Sequence, residues 1–431
     1  MDNIQFSHLN RRFLQVVIPV ILAVLFLAAI MGVGASSASQ MEAVTFDQET
    51  NILTNGNVIT IGVASSLSGL PDLGWRQVNA VQLAVDQINA GGGLDIGGTN
   101  YTLALVSADS GCNPTQAVTA ANTLLNAGVV AVVGHTCSGA SSAAQPLYAA
   151  AGVSMISPSS TDPQVTEQGY TTTFRVISRD DTPTTMLATH LHNRLTYERA
   201  AIVEIDGFWG NWLGDVFSDT FTGLGGVITS RHTVTSTADF TATLTTIMAE
   251  NPDVIHFAND DGNTAGLLSK VADNLGMTNV VIAWTTYTEN RGVLDDYANT
   301  AGVAAEGDIA AMFYRATEDM SGYADFDADY VAAGFANYGD EAQMTGAFAY
   351  DAAQIIKEAI DRTDSTDPAD IRDEVAATNN YPGVVGMYEG FDNKGDVIPQ
   401  WAWMEQYQDG QWVVIWPYKI FLPIMLKNYG Q

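Results

Sequence analysis

The chain has 431 residues with 48 acidic against 17 basic side chains, a formal net charge of −31, and 47% hydrophobic residues. That apolar fraction supports a packed core and excludes a disordered chain, and at roughly 150 residues per domain the length suggests two or three domains. The acidic balance excludes a nucleic-acid binder, which needs a basic face to neutralise phosphates, and disfavours docking on an anionic lipid surface.

In chain order, residues 1–38 read as a targeting segment. Arg11 and Arg12 precede an uncharged apolar run from Val16 to Ala35, and small residues follow. This is the order of a secretory signal, although the run is long enough to span a bilayer as an uncleaved anchor. Either way the rest of the chain is expected to be exported. Residues 39–56 are polar, lack periodicity and read as a linker.

From Val58 strands and helices alternate. VITIGVAS (58–65) is a strand, and a helix follows from Trp75 to Asn89 with Val78, Val81, Ala84, Val85 and Ile88 on one face. TLALVSAD (102–109) is the next strand, and Pro114 opens a helix reaching Asn126. VVAVVG (129–134), a helix from Ser138 to Ala151 and VSMISP (153–158) continue the series. A second series follows Arg179, with strands at 200–206, 226–234, 253–259 and 279–284 and helices near Gly210 and Asp239. A strand at 308–314 leads to helical stretches near 323–338, 345–362 and 368–378. The last part reads as antiparallel strands with Asp409-Gly410 as a hairpin turn. Short apolar strands separated by helices imply parallel sheets covered on both faces, in two α/β lobes.

Familiar catalytic signatures are absent: there is no phosphate-binding loop, zinc pair or nucleophile elbow. His190 and His192, two apart on a helix, point to different sides. The run Asp392-Asn393-Lys394-Gly395-Asp396 reads as a tight turn, since lysine interrupts any calcium-loop pattern. No metal and no cofactor are expected. The two cysteines, Cys112 and Cys137, read as a disulfide in an exported chain, with a catalytic thiol beside His135 as the alternative.

Hydroxyl groups gather at strand ends. Ser138 stands where a strand gives way to a helix, where free backbone amides and the helix dipole favour an anion. It reads either as a carboxylate-binding group or as a plain helix cap. Ser159, Ser160 and Thr161 repeat the arrangement one strand later. In an open α/β sheet, ligands bind beyond such strand ends.

On these residues the chain resembles the leucine/isoleucine/valine-binding protein family of ABC transporters, which has the type 1 periplasmic binding fold. The resemblance runs from about Val58 to Trp416, in ITIGVASSLSG, AVDQINAGGG, CNPTQAVTAANTLL, VVGHTCSGASSAAQPLY, MISPSSTDP, ERAAIVEIDGFWGNWLGDVF and GMYEGFDNKGDV. The cysteine pair matches that family in place and spacing.

The resemblance implies that Ser138 binds a ligand carboxylate, that Thr161 binds the ligand α-groups and that the Ser159 carbonyl receives an ammonium. It further implies that Trp209 covers the ligand from the second lobe, that Asp180 lies at the first crossing between lobes, and that Trp75 stands in the first loop. Asp260 falls where the branched-chain binders carry a tyrosine. The loop Thr285-Thr286-Tyr287-Thr288-Glu289 has a threonine where they carry an acid, and Thr286 and Tyr287 count among the ligand-lining positions. A buried ammonium without an anion is costly, so Asp260 or Glu289 replaces the missing charge, or the ligand is not an amino acid. Asp260 is preferred because it ends a strand; a solvated helix cap is its other reading.

The fold implied is two doubly wound α/β lobes joined by a three-crossing hinge. Residues 57–179 and 309–385 form lobe 1, 180–308 and 386–418 form lobe 2, and 419–431 are a tail. The expected function is capture of a small amino acid-like ligand and delivery to an ABC transporter membrane permease by a monomeric, non-enzymatic, exported protein. A ligand-sensing ectodomain, or a transport protein for urea or short amides, are the alternatives.

Overall fold

Strands that are apolar along almost their whole length need cover on both faces, and the chain supplies it twice. The computed structural model describes residues 57–416 apart from 260, 287–291, 313–319, 321 and 336–342; the targeting segment, the linker and the 419–431 tail lie outside the described residues. Among the described residues no helix is long and apolar enough to cross a membrane.

The first series comprises β1 (Val58–Ser65), α1 (Pro71–Ala90), β2 (Leu94–Ile96), β3 (Thr99–Asp109), α2 (Pro114–Asn126), β4 (Ala131–Gly134), α3 (Ser138–Ala151), β5 (Ser154–Ser157), the one-turn α4 (Gln164–Glu167) and β6 (Thr173–Arg175). They build a six-stranded sheet in the order β2-β3-β1-β4-β5-β6, parallel except for the β2–β3 hairpin. Period-two alternation sorts the strand residues to two faces. Ile59, Ile61 and Val63 pack with Val81 and Val85 of α1, whereas Ala64, Val132 and Met155 pack with Ala121 and Leu124 of α2 and Tyr148 of α3.

The second series comprises α5 (Asp181–Asn193), β7 (Arg199–Ile205), α6 (Phe208–Gly223), β8 (Val227–Val234), α7 (Phe240–Met248), β9 (Val254–Ala258), α8 (Gly262–Asn274), β10 (Val281–Thr286), α9 (Gly292–Ala301) and β11 (Ile309–Met312). Then come α10 (Tyr323–Ala332), α11 (Gln343–Thr363), α12 (Pro368–Ala376), the two-residue strands β12 (Tyr381–Pro382), β13 (Met387–Tyr388), β14 (Gly390–Phe391) and β15 (Val397–Ile398), and the hairpin β16 (Trp403–Gln408) and β17 (Gln411–Trp416). The second sheet runs β17-β16-β11-β10-β9-β7-β8. Ala200, Ile202 and Ala283 face Leu187 of α5 and Phe217 of α6, while Val203, Phe257 and Trp284 face Phe240, Leu268 and Tyr297. Asp409 and Gly410 both have positive φ, 51° and 85°, and form the β16–β17 turn anticipated from sequence.

Two lobe boundaries differ from the sequence expectation. Residues 309–312, assigned to lobe 1, form β11 and pair in parallel with β10, so they belong to the second sheet. Residues 386–400, assigned to lobe 2, fold against the first series. Tyr388 donates to Asp351 of α11 at 2.8 Å, Phe391 packs on Phe174 with ring centroids 5.1 Å apart, and Asp396 pairs with Arg175 and Arg179. The chain returns to the second sheet only at β16. A short apolar run carries no mark of which sheet it will join, and the buried ion pairs that hold 386–400 are contacts between distant residues. β2 and β6, three residues each, were not anticipated.

The first and third crossings touch. Gln400 Oε1 accepts from the Arg179 amide at 2.9 Å and from Thr182 Oγ1 at 3.0 Å, and the Trp401 amide donates to Ser178 Oγ at 2.6 Å.

Candidate functional site

Both sheets share one winding. The chain leaves β1 towards β3 on one side and returns to β4 on the other; it leaves β7 towards β8 and returns to β9 in the same way. Each sheet therefore has a switch point, β1/β4 in the first and β7/β9 in the second, and ligands bind beyond the carboxyl ends of strands at such points. Ser65 ends β1 and Ser66 follows it, the 135–138 segment follows β4, and Phe208 and Trp209 follow β7.

At the first switch point hydroxyls and one amide brace the strand ends. Thr136 Oγ1 accepts from the Ser66 amide at 3.0 Å and donates to Gln77 Oε1 at 2.8 Å, and Ser65 Oγ lies 2.8 Å from the same oxygen. Gln77 Nε2 donates to Ser159 Oγ at 2.8 Å, which in turn donates to the Thr136 carbonyl at 2.8 Å. Gly74 lets α1 approach this loop, because a Cβ there would collide with the Ser66 carbonyl.

Ser138 is the first residue of α3, with Cys137 at the cap position and no side-chain cap. The helix-cap reading of Ser138 therefore does not hold: its hydroxyl instead accepts from the Asp162 amide at 3.2 Å. The amides of Ala140 and Ser141 reach the Cys137 carbonyl at 3.0 and 2.9 Å. The helix itself offers no acceptor to the first amides, those of Ser138 and Gly139. Cys112 and Cys137 form a disulfide with Cα atoms 5.2 Å apart, so neither is a free thiol.

Ser160 departs from the expectation of a ligand contact. It is fully buried, its hydroxyl lying 2.8 Å from Ser141 Oγ and donating to the His135 carbonyl at 3.0 Å. It braces the turn after β5. Thr161 is half-buried; its carbonyl accepts from the Asp180 amide at 2.9 Å, and its side chain hydrogen-bonds the Asp180 carboxyl.

A cavity of about 200 Å³ opens beside these groups. Asp162, Pro163, Gln164 and Glu167 line it from the first lobe, Arg179 and Asp180 from the crossing, and Phe208, Trp209 and Trp212 from the start of α6. Trp209 and Trp212, one helical turn apart, stack with centroids 5.3 Å apart at 28°. Asp180 is 9% exposed, and burial pushes its carboxyl up to about 7 although the Thr161 hydrogen bond opposes the shift.

Arg179 is held by a buried ion network. It lies 2.8 Å from Asp181, 3.0 Å from Glu167 and 3.2 Å from Asp396. Arg175 Nε lies 2.6 Å from the other Asp396 oxygen, and Lys394 Nζ lies 3.1 Å from Glu167. Burial alone would lower the Arg179 pKa, but Asp181 and Asp396 raise it, so the guanidinium stays charged.

Of the other anticipated residues, Trp75 lies within α1 and not in a loop, because the helix starts at Pro71, whose fixed φ suits a first helical position. Thr286 is buried as the last residue of β10. Asp260, Tyr287 and Glu289 lie outside the described residues. The α8 cap is Asp261, which accepts from the Thr264 amide at 2.7 Å, so capping there does not need Asp260. Trp209 and Asp180 thus share one cavity, with Ser138 and Thr161 bonded to its rim, while Trp75 and Thr286 do not line it.

Sequence reasoning missed Glu167, Arg179, Phe208 and Trp212. The spacing of Trp209 and Trp212 on one helix face was a usable signal; the Arg179 network had none. In the turn at 392–396, Asp392 Oδ1 accepts from the Lys394 and Asp396 amides at 2.8 and 2.9 Å.

Comparison with known proteins agrees with this geometry. A family model described as periplasmic binding protein matches residues 58–411. The chain is 29% identical to an amino acid binding protein of Pseudomonas aeruginosa over 79% of this chain and 87% of that one. It is 27% identical to a leucine-specific-binding protein of Salmonella typhimurium over 79% and 88%. Among solved structures, an ABC transporter substrate-binding protein of Desulfitobacterium hafniense in complex with leucine matches with a TM-score of 0.63 and 28% identity, covering 83% of this chain and all of that one. Two doubly wound lobes with hydroxyl-rich strand ends, and a match over most of the chain, have one reading: this chain belongs to the periplasmic binding protein family, with the type 1 fold.

Proposed function

We propose that this chain captures a small amino acid-like solute between its two lobes outside the cytoplasm and hands it, chemically unchanged, to an ABC transporter membrane permease. The observation that carries the reading is the start of α3. There the Ser138 hydroxyl and the first-turn amides, for which the helix has no acceptor, stand at the first switch point beside the cavity that Trp209 faces.

In this reading Ser138 holds the carboxylate, Thr161 binds the α-groups, the Ser159 carbonyl receives the ammonium, and Ser160 braces them from behind. Hinge closure brings Trp209 over the solute. Asp260, two residues beyond the end of β9 in the sequence, is assigned the anion that the ammonium needs. Trp75 and Thr286, which do not line that cavity, and Tyr287 stay in this reading as ligand-contacting positions on the family resemblance alone, and Asp180 marks the hinge. The disulfide suits an oxidising compartment.

Calorimetric titration of the exported chain with a panel of amino acids, amides and urea tests the reading. Binding of an amino acid with release of the intact molecule is the expected outcome. Turnover of the solute, or binding of urea and amides alone, overturns it.

A further inference from the structure

We infer that the cleft selects a solute with a cationic side chain, seated between the Trp209–Trp212 pair and the carboxylates of the first lobe. This deepens the proposed function and rests on the cleft being an amino acid site. The cavity of about 200 Å³ is smaller than the roughly 300–1,000 Å³ of sites for drug-sized ligands, which fits an amino acid side chain. It adjoins the proposed anchors directly, since the Asp162 amide bonds Ser138 and Asp180 bonds Thr161 through both backbone and side chain. A side chain leaving an α-carbon held at Ser138 and Thr161 therefore runs between Asp162 and Asp180 on one side and indole faces on the other.

The lining is unlike an aliphatic pocket. Three carboxylates line it against one cation, and that cation, Arg179, is already shared among Glu167, Asp181 and Asp396. With Arg175 and Lys394 added, the cluster sets five carboxylates against three cations. A leucine-like side chain would take more water from these acids and give nothing in return. A guanidinium or ammonium would pair with them while lying on the stacked indoles, whose faces attract cations. The α6 N-terminus also opens here and opposes a cation, but its dipole amounts to about half a charge, whereas acidic groups outnumber basic ones by two, and a cation beside the buried Asp180 favours its ionised form.

The test is calorimetry on the exported chain with arginine, lysine, citrulline (the neutral near-isostere of arginine) and leucine. Arginine or lysine should bind about tenfold or more tighter than citrulline and leucine. Asp180→Asn and Asp162→Asn should each cut the arginine-to-citrulline ratio by about threefold or more. Asp162 is exposed, so its variant reports even where Asp180→Asn fails to fold. Citrulline or leucine binding as tightly as arginine, or a ratio unmoved in the folded variants, overturns the inference. If leucine binds tightly and Ser138→Ala weakens it, only the cationic preference fails. If none of these solutes binds, the amino acid reading fails with it.

Discussion

Removing the Ser138 hydroxyl takes away an acceptor for the Asp162 amide and, in the proposed role, a donor to a ligand carboxylate. Asp162 is exposed, so its amide can turn to water and the fold should lose little. Ser138→Ala should weaken solute binding by about 1.5–3 kcal/mol, the usual range for a hydrogen bond to a charged group; unchanged affinity by calorimetry would remove Ser138 from the site. His256 offers a residue-scale test of stability. Its fully buried ring stacks on Phe217 at 4.1 Å, its Nδ1 lies 3.1 Å from the Ala283 carbonyl, and burial holds its pKa at about 3. His135, also fully buried, is held at about 3 for the same reason. Between these values and the ordinary 6.5 the unfolded chain binds more protons than the folded one. Stability should therefore rise with pH across that window, by up to about 1.4 kcal/mol per pH unit for each histidine, and be lost as pH falls towards 3. His256→Gln should flatten the slope of unfolding free energy between pH 4 and 6 by about that amount; an unchanged slope would show that His256 is not a source of it.

The elements that carry the site are held by local devices and one covalent link. Asn113 caps α2 by accepting from the Thr115 and Gln116 amides at 2.9 and 3.1 Å, and Pro114 follows at the first helical position. Cys112, just before that cap, is tied across a separation of 25 residues to Cys137, the cap position of α3. Reduction of this bond should lower stability by about 3.5 kcal/mol in the chain-entropy model, read as a shift of the urea midpoint with and without reductant. Much at this scale was readable beforehand. Pro114 announced its helix, Asp409-Gly410 its hairpin, and the apolar runs at 58–65 and 200–206 their strands, because each signal is carried by neighbouring residues. β2 and β6 were not, since three residues are too few to show a period. Where β10 ends was not readable either: Thr285 and Thr286 look like loop residues, but pairing with Ala311 and Met312 of β11, and burial against α5, where Thr184 Oγ1 lies 3.1 Å from Thr285 Oγ1, keep them in the strand.

At the scale of the molecule, the crossing between lobes is braced by charge. Asp396 accepts from Thr166 Oγ1 at 2.8 Å and pairs with both Arg175 and Arg179, each almost wholly buried. Burial would raise its pKa, but the two guanidiniums outweigh burial and the net shift is downward. A carboxyl with a depressed folded pKa adds stability above its unfolded value of about 3.9, and that contribution is lost as pH falls through the folded value. Removing one partner of a buried ion pair strands the other, so Asp396→Asn should cost about 3–5 kcal/mol. Thermal unfolding checks this at neutral pH, where a change below about 1 kcal/mol would class the network with weak surface pairs. Gly395 belongs to the same device, because its φ of 96° and its approach to the Thr173 carbonyl leave no room for a Cβ.

By itself the order of amino acids determined the alternation of strands and helices, two α/β series, the hydroxyl-rich strand ends at Ser138 and Thr161, and the resemblance to a binding-protein family. Period, turn chemistry and helix caps act between residues close in the chain, so they can be read along it. Only the tertiary structure decided that 309–312 joins the second sheet, that 386–400 returns to the first lobe, that Ser160 turns inward, and that Asp180, Arg179 and the tryptophan pair share one cavity. Those outcomes depend on which distant groups meet and how much water is removed between them, and such energies exist only once the chain has folded.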